Sequence, residues 1–400
     1  MPPIRVGIIG LSQHSWAARA HLPYLTISPD YQIVALCNSS TQQAKAARKC
    51  FNLPGETRIY GDPADLAKDP SVDLVICSVR VDKHFAAIAP ALLAGKSVLV
   101  EWPLARNLSE AEELVRLKNQ YATPPTKENG RLAVVNLQGR QAPFLHQVKQ
   151  LLAEGRIGRV LSSSFIGHTG GGAGDGVITI DEEHEYFTRK EVGGNMVSIH
   201  FGHSIDSVMQ GKLFLLHVFA MSLATNRLAY SFLSPPKTIL ANRQQAVRLI
   251  SRTSGAIISS TYPKDTEDTI SLHGTLASGV PLSYTMRAGP AFKDTPGLDW
   301  RIYGSKGEIR ITAPTPFMQM GYDGTKIEVY GFASDRVEEV AVGKGEFEDL
   351  LPSAARNVAI VYRELAQNRE SCTFEEALEL HKLIDGMYRE NDEGARNVKL

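Results

Sequence analysis

The stretch IRVGIIGLSQHSWAARAH, residues 4–21, decides the fold. Its first half is near-continuously apolar and β-branched, as a strand buried on both faces should be, and its second half is helix-forming. Between the two lie Gly10, Ser12 and Ser15. A strand, a tight turn and a helix N-terminus in that order present unpaired backbone N–H groups and the positive end of the helix dipole to an anion. The turn reads G-x-S-x-x-S where a dinucleotide fingerprint has G-x-G-x-x-G, with the small residues Ala17 and Ala18 behind it. Taken alone, the turn fits a phosphate site or an ordinary strand-to-helix connection. Its strand-helix context points to the phosphate.

Working outward, QIVALCN (32–38), DLVICSV (73–79), SVLVEW (97–102) and LAVVNLQ (132–138) repeat the buried-strand pattern. Helix formers separate them, as in STQQAKAARKCF and FAAIAPALLAGK, the second closing on Gly95 as a C-terminal cap. This alternation predicts right-handed crossovers and a doubly wound parallel sheet, a Rossmann-type α/β domain over residues 1–140. YATPPTKENGR (121–131) reads as a surface loop. A linking helix follows, QAPFLHQVKQLLAEG, with Phe144, Leu145, Val148, Leu151 and Leu152 on one stripe. Strands then dominate: VLSSSFIG, KLFLLHVFAMSLA, AIISSTY, TISLHGTLASGVPLSYTMRAG, DWRIYGSKGEIRIT and KIEVYGFA. They predict an α+β domain over 141–400 with an open, largely antiparallel sheet. Near the end, Thr373 and Glu376 form a capping box ahead of a stripe of Ala377, Leu378, His381, Ile384 and Met387. The glycine run at 170–176 reads as a loop beside a site.

Composition narrows the function. The 400 residues carry 43 basic and 43 acidic side chains with no long run of either sign, which argues against an electrostatic nucleic-acid partner and for small-molecule work. Cys37, Cys50, Cys77 and Cys372 lack CxxC spacing, and two of them sit in apolar strand-like runs, as buried thiols of a reducing compartment do. No apolar run approaches the roughly 18 residues of a membrane span, and no basic region leads into a signal-type segment. The expectation is a soluble, cytoplasmic protein without a membrane partner.

The second strand ends Cys37-Asn38-Ser39-Ser40, without the acid that holds a ribose 2'-hydroxyl, and Lys45 and Arg48 follow. NADP is therefore at least as well accommodated as NAD, or Asn38 is a turn residue only. The acidic run DEEHEYF (181–187) has no HExxH spacing and reads as a solvated loop, so no metal is expected; SYTM and GHS are not nucleophile elbows.

The chain resembles the Gfo/Idh/MocA oxidoreductases. The resemblance rests on the first turn, His84 after DLVICSV, LLAGKSVLVEWPLA, LQGRQAP (137–143), EGRIG and GGNMVSIHFGHSID (193–206). Ser15-Trp16, VEW, LQGR with Pro143, Glu185-Tyr186 and FGHSID resemble the subgroup of the galactose-regulon repressors. The resemblance implies bound NAD or NADP lined by Gly10, Ser12, Ser15, Trp16, Asn38, Ser39, Ser78, His84, Glu101, Trp102 and Gln138. It also implies a homo-oligomer through the C-terminal sheet, or a protein partner if the chain is a regulator. Two positions depart from the family pattern: Trp102 replaces the lysine of its Glu-Lys-Pro motif, and Ile199 the acid four residues before the motif histidine.

Oxidising a secondary alcohol requires a proton acceptor as hydride leaves, and an indole has only an N–H to donate. His203, with an ordinary pKa near 6.5, is the expected proton-transfer group; His200 and Tyr186 are secondary candidates. Arg140 reads either as a substrate ligand or as a salt bridge to a helix end. A sugar-like or polyhydroxylated substrate is expected. The alternatives are a cofactor-binding regulator without catalysis, or an enzyme that keeps its nicotinamide cofactor through a redox-neutral reaction.

Overall fold

The computed structural model describes residues 2–121, 131–170, 177–209, 232–320 and 323–397. The expected strand at 212–224, the centre of the 121–131 loop and most of the 170–176 glycine run lie outside them. The chain divides into two units: Met1–Gln141 with Gly345–His381, and Ala142–Lys344 with Lys382–Leu400. The first unit thus runs to Gln141 and takes the chain up again from Gly345 to His381.

In the first unit, β1 (Ile4–Ile9), β2 (Tyr31–Cys37), β3 (Arg58–Tyr60), β4 (Leu74–Cys77), β5 (Ser97–Glu101) and β6 (Ala133–Asn136) form a six-stranded sheet in the order β3-β2-β1-β4-β5-β6. Every pairing is parallel. The order reverses between β1 and β4, the switch point outside which ligands bind such sheets. β4 is buried along its length, as its unbroken apolar run requires. A π-helical turn, Ala17–His21, leads into α1 (Leu22–Ile27); α2 (Thr41–Cys50), α3 (Pro63–Lys68), α4 (His84–Leu93) and α5 (Leu108–Tyr121) follow. Ser40 caps α2 by accepting from the Gln43 N–H, and Asp62 caps α3 ahead of Pro63. Gly95 closes the end of α4 at φ +64°, as expected.

The second unit opens with α6 (Pro143–Ala153), which buries all five expected stripe residues. Its strands are β7 (Val160–His168), β8 (Thr179–Asp181), β9 (Lys237–Ala241), β10 (Ala246–Ile250), β11 (Ile257–Pro263), β12 (Thr269–Thr275), β13 (Pro281–Arg287), β14 (Leu298–Gly304), β15 (Gly307–Ala313), β16 (Lys326–Gly331) and β17 (Arg336–Val340). Eight form a sheet in the order β17-β16-β15-β14-β7-β13-β12-β9. All its pairings are antiparallel except β13 with β7, as expected of an open, largely antiparallel sheet. A separate three-stranded sheet, β11-β10-β8, was not foreseen. The helix α7 (Gly202–Met209) continues a π-helical turn, Met196–Phe201.

Two helices complete the chain, α8 (Ser353–Ala366) and α9 (Phe374–Asn397). α8 buries Ala355, Val358, Ala359, Val361, Tyr362 and Leu365 in the first unit's core, among Val6, Ile8, Tyr24 and Tyr31. The ring of Tyr362 stacks on Tyr24 at 5.8 Å and meets the edge of Tyr31 at 5.2 Å. α9 starts on the expected capping box: the Glu376 N–H donates to Thr373 Oγ1 at 3.2 Å, and the Thr373 N–H to Glu376 Oε2 at 2.9 Å. Its buried stripe holds Ala377, His381, Ile384 and Met387, with Leu380 buried where Leu378 was expected. Among the described residues no helix is long and apolar enough to cross a membrane.

Candidate functional site

β1 delivers the chain to Gly10 at φ +99°, and a Cβ there would stand 2.4 Å from the carbonyl oxygen of Ser78 at the end of β4. Only glycine allows the two strand ends to approach so closely. The next residues fold on themselves through Ser15. Its Oγ donates to Ser12 O at 2.8 Å and accepts from the N–H groups of Ser12 at 3.0 Å and Ala18 at 3.3 Å. Ser12 is exposed at the tip of this turn, and Trp16, half-buried, begins the helical segment with Arg19 over its ring at 5.3 Å. Asn38 at the end of β2 donates from Nδ2 to Leu11 O at 2.8 Å, so it brackets the turn from the side; Ser39 beside it is exposed.

Around these strand ends, several buried polar atoms have no hydrogen-bond partner among the described residues: Trp16 Nε1, Asn38 Oδ1, Ser78 Oγ, Asn136 Oδ1 and Gln138 Oε1. Buried polar groups are rarely left so, and each costs about 1–3 kcal/mol unless something satisfies it. Their concentration at the carboxyl ends of the parallel strands, with the glycine cradle, fits a polar ligand such as a dinucleotide.

Glu101 and Trp102 are anchored to different partners. Glu101 Oε1 accepts from Asn136 Nδ2 at 2.6 Å and lies 2.6 Å from His21 Nε2. His21 Nδ1 in turn lies 2.6 Å from the hydroxyl of Tyr362, whose carbonyl accepts from the Tyr31 hydroxyl at 2.5 Å. Trp102, 4% exposed, packs its ring on His381 at 4.9 Å. Burial, and then the neighbouring His84, push the His381 pKa down to about 3. His84 is not open to a ligand: its Nδ1 lies 2.8 Å from Pro103 O and its Nε2 3.0 Å from Val79 O. Burial lowers its pKa while the two carbonyls favour the protonated form, and a neutral ring donates to only one of them. Arg140 is bonded to a helix start. Its Nη1 donates to Ser371 O at 2.8 Å and to Glu376 at 3.1 Å, tying it to the start of α9. Neither His21 nor Tyr362 was singled out from sequence. His21 is the last letter of the opening stretch, and its partner lies 341 residues away.

The second unit holds the three proton-transfer candidates. Asn195 caps the segment that carries two of them, accepting from the N–H groups of Val197 and Ser198 at 2.9 and 3.1 Å, while Ser198 Oγ accepts from the Asn195 N–H at 2.9 Å. His200 sits in an aromatic run, 5.5 Å from Phe187 and 4.8 Å from Phe317, and Tyr186 packs on Phe187 at 4.8 Å. His203 is buried, with Nδ1 unpaired among the described residues. Its ordinary pKa does not survive folding: burial first, then His200, push it down to about 3, and burial brings His200 to about 4. Both rings are neutral near pH 7, hydrogen-bonding groups rather than poised bases. DEEHEYF is a 3₁₀ helix, Glu182–Thr188, rather than a loop. Asp181 caps it, accepting from Glu183 and His184 N–H groups and lying 2.8 Å from the His184 ring. No cluster of three metal-ligating side chains exists among the described residues.

Residues 4–123 match the model of the oxidoreductase family with an NAD-binding Rossmann fold (GFO_IDH_MocA), and residues 143–313 that of the Gal80p C-terminal domain. The chain is 30% identical to the dehydrogenase aclE of Aspergillus oryzae over 98% of its own length and 97% of that protein's. The chain belongs to the Gfo/Idh/MocA family. Within it, the galactose/lactose metabolism regulatory protein GAL80 of Saccharomyces cerevisiae is 24% identical, over 98% of this chain and 94% of the relative. The crystal structure of the transcriptional regulator Gal80p from Kluyveromyces lactis superposes with a TM-score of 0.78 at 25% identity, covering 98% of this chain and 90% of that one. The residues matched by the family's NAD-binding Rossmann model, 4–123, include Gly10, Trp16, Asn38 and Ser78.

Proposed function

We propose that this chain is an NAD(P)-dependent oxidoreductase acting on a sugar-like or polyhydroxylated small molecule, with Trp102 in the place of the family's motif lysine. The observation that carries the reading is the glycine-closed turn at the switch point, ringed by buried polar atoms without partners among the described residues. Gly10 and the turn through Ser12, Ser15 and Trp16 would hold the pyrophosphate, Asn38 and Ser39 the adenosine ribose, and Ser78, Glu101 and Gln138 the nicotinamide half. The nicotinamide supplies or accepts the hydride when bound. The protein's share is to orient the substrate and to place a hydrogen-bonding group on the reacting oxygen; His203, neutral near pH 7, takes that role by donating or accepting at its unpaired ring nitrogen. Full-length similarity to a dehydrogenase supports this reading.

The second reading is a cofactor-binding regulator that has lost catalysis. Its support is specific: the lysine position is a buried indole, and the two candidate histidines, His200 and His203, are too weakly basic to accept a proton readily. Nicotinamide absorbance, followed with a panel of sugars, polyols, hydroxy acids and their carbonyl counterparts, separates the two. Turnover by the wild type that falls about 10²-fold in His203→Ala, the scale of a lost hydrogen bond to the oxygen where charge develops, is the enzyme's signature. Cofactor binding without turnover on any substrate, together with a specific protein partner, is the regulator's.

A further inference from the structure

Glu101 is held by a chain of hydrogen bonds that ends in a helix from the far end of the sequence. The Tyr362 hydroxyl lies 2.6 Å from His21 Nδ1, His21 Nε2 lies 2.6 Å from Glu101 Oε1, and Asn136 Nδ2 meets the same carboxylate oxygen at 2.6 Å. Burial holds the Tyr362 phenol well above its ordinary pKa, so it keeps its proton. With Tyr362 donating to Nδ1, the His21 Nε2–H is left to donate to the carboxylate. The His21 side chain is 1% exposed and that of Glu101 12%, and among the described residues only Oε1 of the carboxylate is engaged. Oε2 therefore remains as an open acceptor at the carboxyl end of β5. In a doubly wound sheet the strands beyond the switch point, here β4 to β6, serve the second nucleotide of a dinucleotide.

We propose that His21, locked by Tyr362, is a positioning residue that fixes the Glu101 carboxylate so that its free oxygen accepts a hydroxyl of the nicotinamide nucleotide. The inference rests on the nicotinamide reading above. It gives the C-terminal return of the chain a function: α8 supplies the phenol on which the array is built, within an aromatic cluster that holds the ring still. A carboxylate free to rotate would pay rotamer entropy each time the ligand bound, and one held by two donors has lost that freedom in advance.

The test compares His21→Leu, His21→Gln and Tyr362→Phe with the wild type, titrating NADH, NADPH and ADP calorimetrically alongside thermal melting. Tyr362→Phe removes one oxygen and keeps the ring, so the question stays answerable should His21→Leu fail to fold. The expected result is a tenfold or greater loss of affinity for the better nicotinamide dinucleotide in His21→Leu and about threefold or more in Tyr362→Phe. His21→Gln, which keeps an N–H donor, should recover most of the loss, and ADP, lacking the nicotinamide half, should bind within twofold of wild type throughout. Unchanged dinucleotide affinity in Tyr362→Phe and in the folded His21 variants overturns the proposal, as does an equal loss for ADP, the mark of a merely structural role. A wild type that binds ADP but neither dinucleotide overturns the nicotinamide reading itself, and this inference with it.

Discussion

Gly10 is the residue whose chemistry leaves least choice. Its φ of +99° and the 2.4 Å approach of a would-be Cβ to Ser78 O mean that Gly10→Ala must push β1 and β4 apart at their ends. A strained backbone position of this kind costs about 1–3 kcal/mol, and the displaced turn should lose dinucleotide affinity at least tenfold; melting and calorimetric titration of the variant check both. At the end of β2, Asn38 now has a structural duty through Leu11 O, so Asp there would disturb the turn as well as the charge. Exposed Ser39 is the cleaner probe: Ser39→Asp should weaken NADPH more than NADH, since a carboxylate repels a 2'-phosphate and accepts from a 2'-hydroxyl, and equal losses in parallel titrations would remove that residue from the ribose. The strand-turn-helix around Gly10, Ser12 and Ser15 was legible because its pattern is local, whereas Trp102 stood out only through the family resemblance. The pairing of His21 with Tyr362 was not legible, because hydrogen bonds across 341 residues leave no mark on local periodicity.

At the scale of elements, the segment 196–209 depends on Asn195, which is 2% exposed and caps it with both side-chain and backbone groups. Asn195→Ala should therefore cost about 1–2 kcal/mol in urea unfolding, the range of a lost buried cap, and should disorder the helix that carries His200 and His203. Turnover, where it exists, should fall more in this variant than in an exposed-surface control such as Lys68→Ala. Long periodic segments were readable in advance: α6 buries all five of its stripe residues, and the α9 capping box forms both of its hydrogen bonds. The three-stranded sheet was not readable, since β8 is only three residues long and pairs in parallel with β10 from some 70 residues on. DEEHEYF has the composition of a solvated loop, yet Asp181 at its head satisfies two N–H groups and winds it into a 3₁₀ helix.

Over the whole molecule, buried neutral histidines set the response to acid. Burial holds His203 and His381 at about 3 and His200 at about 4, whereas the unfolded chain titrates them near 6.5. Between these limits the unfolded state binds more protons, so their contribution is complete above about pH 6.5 and is lost as the pH falls toward 4 and below. Urea midpoints taken from pH 8 down to pH 5 should decline, and His381→Phe, which keeps an aromatic ring against Trp102, should decline less steeply. The two-unit division shows where sequence reading stopped: the boundary near 141 coincides with a change from alternating to strand-rich pattern, but the return at Gly345 is decided by where the apolar face of α8 finds a core. The central claim is that the Rossmann unit holds a nicotinamide dinucleotide across Gly10, and isothermal titration of the protein with NAD⁺, NADH, NADP⁺ and NADPH tests it most directly. The account predicts saturable binding of at least one form at micromolar Kd or tighter, about −8 kcal/mol or better, lost in Gly10→Ala. No heat from the wild type with any of the four forms would contradict it.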